Sequence, residues 1–319
     1  MSTAMPASPS RNHPLRVGTR GSPLALIQTR GFIQLLARAI PASLEEHVIR
    51  TTGDAVQDRR LAEIGGKGLF AKEIHEALAD GRIDLAVHSL KDLETELPPG
   101  IVLGCTLRRE DARDALILAP GARPDPDRPF DSLPAGALIG TASVRRQAQL
   151  LHVRPDLAIT MLRGNVQTRL EKLAAGVCAA SLLAYAGLKR LGLADRASVV
   201  LDPETMVPAA GQGIVGVTVR EADVELRTAL AAIEDAEART AATAERALLA
   251  RLDGSCRTPI AAYARCPAGG DLQLTGLVAR ADGSFLVKRG LSGAAADAVR
   301  IGLELGAQLR ADSPDDIFA

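Results

Sequence analysis

Four segments of the sequence place a basic residue just before a predicted helix or in its first turn. The segments are 19–23, 65–69, 142–146 and 162–165. The helix dipole favours acids at a helix start, so helix stability does not explain these cations. Free backbone N–H groups at a helix start bind anions. Because the 38 basic and 38 acidic residues of the chain cancel, these positions predict one focused anion-binding cleft rather than a generally basic surface.

Guanidinium groups supply much of this local positive charge. Arg145 and Arg146 follow the predicted helix cap Ser143, and Arg163 and Arg169 flank the next helix start. A guanidinium matches a carboxylate in two-point contact, although phosphate and sulfate fit the same groups. The alternative is a solvated helix face on which these arginines have charged neighbours.

Two other residues could carry chemistry. Asp92 follows an apolar strand predicted at 83–87, and ligand crevices in α/β sheets lie beyond the carboxyl ends of the strands. The alternative for Asp92 is a surface Lys–Asp turn, and the nearby His88 is interpreted as structural. Cys256 lies in a Gly/Ser loop beside Arg257, whose cation favours a reactive thiolate. Spacing alone leaves Cys256 open as a nucleophile or an inert thiol.

The composition limits the class of protein. A chain of 319 residues with 47% hydrophobic content predicts two or three domains. Balanced charge and 2% aromatic content argue against nucleic acid as a partner, and no apolar run is long enough to span a membrane. Residues 1–14 are rich in Ser, Pro and Ala without an apolar signal core, which predicts a disordered extension on a cytoplasmic protein. The four cysteines are predicted to be reduced thiols, and no metal site is predicted.

Strand and helix patterns alternate along most of the chain, which predicts parallel α/β sheets. Strands are predicted at 15–19, 48–51, 83–87 and 101–106, with helices capped by Ser22 or starting at Gly68. A Pro-rich break at 119–133 separates this run from a second run of the same kind, with helices capped by Ser143 and Asn165.

Two similar lobes follow from these two runs. An apolar strand at 214–219 is expected to return the chain to the first lobe, and a hairpin at Asp282-Gly283 and a final helix predict a small α+β domain. The predicted boundaries are 15–108 with 212–232 for the first lobe, 109–207 for the second and 236–319 for the C-terminal domain.

Longer motifs in one consistent order resemble the porphobilinogen deaminase (hydroxymethylbilane synthase) family. The similarity runs from about Leu15 into the C-terminal domain. The motifs occupy 18–26, 65–70, 87–92, 109–115, 140–147, 162–170, 186–192 and 211–213.

The resemblance implies a specific transferase chemistry and fold. Porphobilinogen loses ammonia to give an azafulvene, which the free α-carbon of the last ring of a growing chain attacks. Four rounds and hydrolysis release linear hydroxymethylbilane. The chain grows on a dipyrromethane cofactor held by a thioether to the cysteine that matches Cys256. Two lobes like those of type II periplasmic binding proteins enclose the cleft, the third domain carries the cysteine, and the family favours a monomer.

The resemblance also assigns roles to individual residues. Asp92 matches the catalytic carboxylate, which stabilises positive charge developing on the pyrrole during deamination. Lys67 and Phe70 match the lid. Residues that match positions binding the acetate and propionate groups of the substrate and cofactor are Arg20, Ser22, Lys91, Thr141, Ser143, Arg145, Arg146, Arg163, Arg169 and Arg190.

Four positions depart from the family pattern: Thr52, Glu63, Ala142 and Ala179 stand where relatives often have arginine, lysine, serine and an acidic residue. A second hypothesis from another class is a two-lobed binding protein for a small anion, without a reaction. Such a protein needs the cationic helix starts but not Cys256, and it usually carries a secretory signal.

Overall fold

A computed structural model describes residues 13–55, 68–253, 258–267 and 270–318. Within these ranges no helix has both the length and the apolar character that a membrane span requires. The described residues form two compact units. Unit 1 comprises 13–55, 68–109 and 214–239, and unit 2 comprises 110–213 with the described part of 240–318.

The elements alternate along the chain, as the sequence predicts. The strands are β1 (Leu15–Arg20), β2 (Leu44–Ile49), β3 (Leu85–Ser89), β4 (Ile101–Thr106), β5 (Asp114–Leu118), β6 (Leu138–Gly140), β7 (Ala158–Thr160), β8 (Ala180–Ala184), β9 (Val199–Val200), β10 (Val215–Arg220), β11 (Ile260–Arg265), β12 (Leu272–Ala279) and β13 (Leu286–Gly293). The α-helices are α1 (Pro23–Ala39), α2 (Thr52–Ala55), α3 (Lys72–Ala79), α4 (Val144–Val153), α5 (Val166–Ala174), α6 (Tyr185–Arg190), α7 (Val224–Ala231), α8 (Ala236–Arg251) and α9 (Ala298–Ala311).

Two five-stranded sheets share one topology. Unit 1 has the order β2-β1-β3-β10-β4, and unit 2 has β7-β6-β8-β5-β9. In each sheet three parallel strands are followed by one antiparallel strand and an edge strand. The two similar α/β lobes are therefore confirmed. The return of the chain to the first lobe is also confirmed, because β10 pairs with β3 and β4.

Burial of apolar side chains on both faces explains why the inner strands are almost continuously apolar. In unit 1, Phe32 and Leu36 of α1 pack on Leu15, Val17 and other buried residues of the sheet. Ser22 accepts a hydrogen bond from the backbone N–H of Ala25, and Pro23 occupies the first turn, so α1 begins where its cap predicts.

The C-terminal part of unit 2 is a small α+β arrangement, as predicted. The antiparallel sheet β11-β12-β13 packs against α8 and α9. Gly276 lies so close to Leu248 and Leu309 that an added Cβ would be 2.7 and 2.6 Å from their side chains. Gly283 has φ 77°, which matches the predicted turn.

Several predicted elements are wrong in extent. The helix expected from Gly68 begins at Lys72, because Gly68 has φ 76° and a turn precedes the helix. The strand expected at 48–51 is β2, and β5 and β9 lie where no strand was predicted. The boundaries given above for the three domains stay predictions.

Candidate functional site

The carboxyl ends of three parallel strands meet at one edge of the unit 1 sheet, where ligand crevices of α/β sheets lie. Arg20 is the last residue of β1, α2 follows β2, and a single turn, Leu90–Asp92, follows β3. Leu90 donates its backbone N–H to the Ile214 carbonyl at 3.0 Å, which anchors this turn beside β10. The fold therefore places Arg20 and Asp92 at the same edge.

The Arg20 guanidinium lies between two carboxylates. Its Nη1 donates to Asp92 Oδ2 at 3.3 Å, its Nε donates to Asp54 Oδ2 at 3.0 Å, and its Nη2 donates to Asp54 Oδ1. The Phe70 ring centroid is 4.1 Å from the guanidinium carbon, a cation–π contact. Burial lowers the pKa of Arg20, but its hydrogen bonds to Asp54 and the charges of Asp92 and Asp54 outweigh this effect, so the pKa is raised overall.

A packed turn supports this cluster. Thr51 donates its hydroxyl to Asp54 Oδ2 at 2.8 Å. Gly53 donates its backbone N–H to the Leu69 carbonyl at 2.9 Å. An added Cβ on Gly53 would lie 2.5 Å from the Phe70 ring, so only glycine fits this close approach. The backbone therefore positions Asp54 and Phe70 together against Arg20.

Two histidines of unit 1 are buried, His88 in β3 and His75 in α3. His88 Nε2 is 3.0 Å from Thr218 Oγ1, and the rings of His75 and His88 are 5.4 Å apart. Burial, with the charges of His75 and Arg20, lowers the pKa of His88 to about 3, and burial lowers that of His75 to about 4. His88 is therefore neutral near pH 7, in agreement with the structural interpretation.

The corresponding edge of the unit 2 sheet carries most of the predicted arginines. Ser143 caps α4 after β6, Arg163 follows β7, and Arg190 ends α6 after β8. Asp114, the first residue of the antiparallel strand β5, pairs with Ala184 at the end of β8 and so lies at the same edge.

Asp114 is the buried anion of this edge. Arg145 Nη1 donates to its Oδ2 at 2.8 Å, and Arg146 Nη2 donates to its Oδ1 at 2.7 Å. Gln212 adds a hydrogen bond at 2.9 Å. Burial alone would raise the pKa of Asp114, but the two guanidinium groups hold it well below its usual range.

Two arginines face one aspartate here, so positive charge exceeds negative charge within this buried cluster. Arg145 also donates to the Val207 carbonyl at 2.6 Å, and Arg146 to the Leu182 carbonyl at 2.8 Å. Their roles in binding substrate carboxylates stay predictions. Sequence reasoning missed Asp114 and Gln212 as site residues, although both lie inside motifs that carry the family resemblance.

The other predicted arginines of unit 2 are Arg163, Arg169 and Arg190. Arg190 Nη2 donates to the Gly213 carbonyl at 2.7 Å, and its burial lowers its pKa while the charge of Glu110 only partly offsets this. Arg163 is buried, and its carbonyl accepts from Lys172 Nζ at 3.1 Å. Arg169 Nε donates to the Gly164 carbonyl at 2.9 Å.

The hydroxyl groups of Thr141, Ser143 and Ser22 accept hydrogen bonds from nearby backbone N–H groups. Thr141 accepts the backbone N–H of Ser143 at 3.1 Å, and Ser143 accepts that of Arg146 at 3.4 Å as the cap of α4. Ser22 caps α1 in the same way, and Lys91 lies half-buried in the turn that carries Asp92. Carboxylate binding by these residues stays a prediction.

Cys256, Lys67 and Glu63 lie outside the described residues. Cys105 and Cys178 are buried, and burial, with the charge of Glu234, raises the pKa of Cys105 to about 12, as expected for core thiols. Within the described parts of the chain, no group of three His, Cys, Asp or Glu side chains could hold a metal ion.

The donor chemistry fits a polycarboxylate group such as dipyrromethane. None of the first turns of α1, α4 and α5 contains an acidic residue. Arg163 and Arg190 add cations at the unit 2 edge, and the described Asp92 carboxylate is 30% exposed at the unit 1 edge. Unit 2 therefore has cations of the kind that pair with carboxylates, and unit 1 has a partly exposed acceptor of the kind that pairs with N–H groups.

Comparisons with known proteins identify relatives over almost the whole chain. The family model described as the porphobilinogen deaminase dipyromethane cofactor binding domain matches residues 15–228, and the model of the C-terminal domain matches 239–311. The porphobilinogen deaminase of Sorangium cellulosum (strain So ce56) is 50% identical over 301 residues, covering 93% of this chain and 98% of the relative.

A second relative has similar coverage. The porphobilinogen deaminase of Paracoccus denitrificans (strain Pd 1222) is 47% identical over 317 residues, covering 98% of this chain and 99% of the relative. Among solved structures, the Bordetella pertussis BvgS periplasmic VFT2 domain aligns with a TM-score of 0.38 at 18% identity, covering 75% of this chain and 99% of that chain. By its two matching family models and its relatives, the chain belongs to the porphobilinogen deaminase family.

Proposed function

We propose that this transferase uses Asp92 as its catalytic carboxylate and Cys256 as its cofactor attachment point. The family deaminates porphobilinogen and joins four units head to tail into linear hydroxymethylbilane, in tetrapyrrole biosynthesis. The observation that carries the assignment is the Asp92 carboxylate, 30% exposed beyond the end of β3, with Arg20 Nη1 3.3 Å from one of its oxygens.

Asp92 acts as a preorganised acceptor. Arg20 and the anchored turn Leu90–Asp92 hold the carboxylate in place before substrate arrives. In that position it accepts hydrogen bonds from pyrrole N–H groups. It also stabilises the positive charge that develops on the ring as ammonia leaves, without reorganisation at the moment of reaction.

Cationic residues bind the acetate and propionate groups. The residues proposed for this role are Arg20, Ser22, Lys91, Thr141, Ser143, Arg145, Arg146, Arg163, Arg169 and Arg190. The dipyrromethane group, when bound through Cys256, supplies the pyrrole α-carbon on which the product grows. In unit 2 the excess of arginine over aspartate around Asp114 supports attraction of carboxylates to this edge. Phe70 packs on Arg20, which supports a role in shaping the unit 1 edge.

A small-molecule substrate rather than a macromolecule is the proposed partner, and the chain is proposed to act as a cytoplasmic monomer. Equal numbers of basic and acidic residues and 2% aromatic content support the absence of nucleic-acid binding.

Mass spectrometry of the Cys256 peptide tests the assignment. The purified enzyme should carry a two-pyrrole adduct on this peptide, and Cys256→Ser should lose both the adduct and hydroxymethylbilane synthesis. The control Cys266→Ser alters a partly exposed cysteine of the C-terminal part of the chain and should retain both. An unmodified Cys256 in fully active enzyme would contradict the proposal.

A further inference from the structure

Asp54 binds the Arg20 guanidinium in the way that a substrate carboxylate would. Both Asp54 oxygens accept from Arg20, one from Nε at 3.0 Å and the other from Nη2. This two-point contact is the geometry in which guanidinium groups bind carboxylates of ligands. A substrate acetate or propionate that uses the same edge of Arg20 must therefore replace Asp54.

A second aspartate of unit 1 shows what a permanent structural partner is like. Asp84 is 2% exposed and binds both Arg16 and Arg220, at 3.1 and 3.2 Å. Asp54 is 35% exposed and sits on the four-residue helix α2. Water can solvate Asp54 when it leaves Arg20, whereas Asp84 would be left buried without its partners.

The competition for Arg20 also affects how Arg20 contacts Asp92. Arg20 meets Asp92 through Nη1 alone, because Nε and Nη2 are engaged by Asp54. Without Asp54, the same guanidinium could turn its two-donor edge toward Asp92. A bidentate Arg20–Asp92 pair would occupy both oxygens of the carboxylate that accepts pyrrole N–H groups.

We propose that Asp54 is an internal competitor for Arg20: it weakens carboxylate binding at this position and keeps Arg20 oriented so that Asp92 retains an oxygen for substrate. The inference rests on the proposed role of Arg20 as a carboxylate-binding residue. Asp54 thus acts as a positioning residue through Arg20, not as a catalytic residue.

Asp54→Asn tests the proposal because the amide keeps the shape and loses the charge. Removing a partly exposed competing ion pair should lower the KM for porphobilinogen by up to about fivefold, while kcat does not rise. Succinate, a simple dicarboxylate probe, should bind the variant more tightly than the wild-type enzyme by a similar factor, measured by calorimetry on the holoenzyme. A merely structural role would lower the melting temperature and raise KM instead.

The chain offers a matched control and a second variant. Arg30 and Glu46 form an equivalent two-point pair in the same unit, with Nε and Nη2 3.0 and 3.2 Å from the carboxylate. Glu46→Gln should change neither KM nor succinate affinity. If Asp54→Asn does not fold, Asp54→Ser removes the same charge with a side chain that suits a short turn.

An Arg20→Gln variant separates the carboxylate-binding role of Arg20 from the competition by Asp54. Suppose that Arg20→Gln raises KM and weakens succinate binding, while Asp54→Asn either leaves KM and succinate affinity unchanged or also raises KM and weakens succinate binding. The competition proposal is then wrong, and the binding role of Arg20 stands. If Arg20→Gln changes neither quantity, Arg20 does not bind carboxylates, and both the assignment and the inference are overturned.

Discussion

Replacing Asp114 by asparagine should destabilise unit 2 strongly. Asp114 is fully buried and is the shared anion of Arg145 and Arg146, which are each 5% exposed. Asp114→Asn keeps the size of the side chain but leaves two buried guanidinium groups without their counter-charge. It also turns an amide N–H₂ toward one of the guanidinium donors, where Asp114 offers only acceptors.

The expected magnitude follows from this burial. Removing one partner of a buried ion pair costs about 3–5 kcal/mol, because the remaining charge is left uncompensated. For a unit of this size, that cost corresponds to a melting temperature lower by roughly 6–20 °C. The two units need not unfold together, so calorimetry should be combined with hydrogen exchange of α4 and β8 to localise the loss of stability.

A surface pair in the same unit provides the control. Arg289 and Asp312 are 3.0 Å apart and well exposed, so Asp312→Asn should change stability by less than about 1 kcal/mol. Equal melting temperatures for Asp114→Asn and the wild-type enzyme would refute the reasoning. They would mean that Arg145 and Arg146 are neutralised by something other than Asp114.

The pH dependence gives an independent check on the same residue. The folded pKa of Asp114 lies well below its usual range, so its contribution to stability is present above the unfolded value of about 3.9. It is lost as pH falls through the folded pKa. The difference in stability between wild type and Asp114→Asn should therefore be constant near neutral pH and shrink only in strong acid.

Two further predictions concern unit 1. Asp92→Asn should lower kcat by about 10²–10³-fold because it removes the negative charge of the carboxylate acceptor, and the melting temperature should be retained because Asp92 is partly exposed. Single-turnover kinetics would measure the change, and an unchanged kcat would exclude the catalytic role. Since burial lowers the pKa of His75 to about 4, unit 1 should lose stability as pH falls from about 6.5 toward 4, and His75→Phe should reduce that loss in acid-unfolding curves. A variant with the wild-type acid profile would contradict the neutral, buried state of His75.

The starts of α1, α4 and α5 were predictable from the sequence because their signals are local. Ser22, Ser143 and Asn165 cap α1, α4 and α5 within three residues of the backbone N–H groups that they accept. The strand β5 was missed because its support is distant along the chain: its antiparallel partners are β8 and β9. A charged residue at its start, Asp114, also resembles a loop boundary until its buried partners are known.

The same distinction explains which parts of the candidate site the sequence reveals. Arg20, Arg145 and Arg146 stand out as cations at helix starts, but their partners Asp54 and Asp114 are 34, 31 and 32 positions away. Nothing in the local pattern shows that one aspartate is shared by two arginines or that one arginine is shared by two aspartates. Those facts depend on which strands lie side by side.

The two edges consequently differ in charge, which matters for a substrate that has both an amine and carboxylates. At the unit 1 edge Asp54 and Asp92 face Arg20, so acceptors predominate around that guanidinium. At the unit 2 edge Arg145 and Arg146 face Asp114, so donors predominate. On the proposed assignment, the first arrangement stabilises positive charge generated when ammonia leaves, and the second attracts carboxylates. Helix-start cations are therefore not equivalent groups, since Arg20 is shared by two partly exposed aspartates, whereas Arg145 and Arg146 share one buried aspartate.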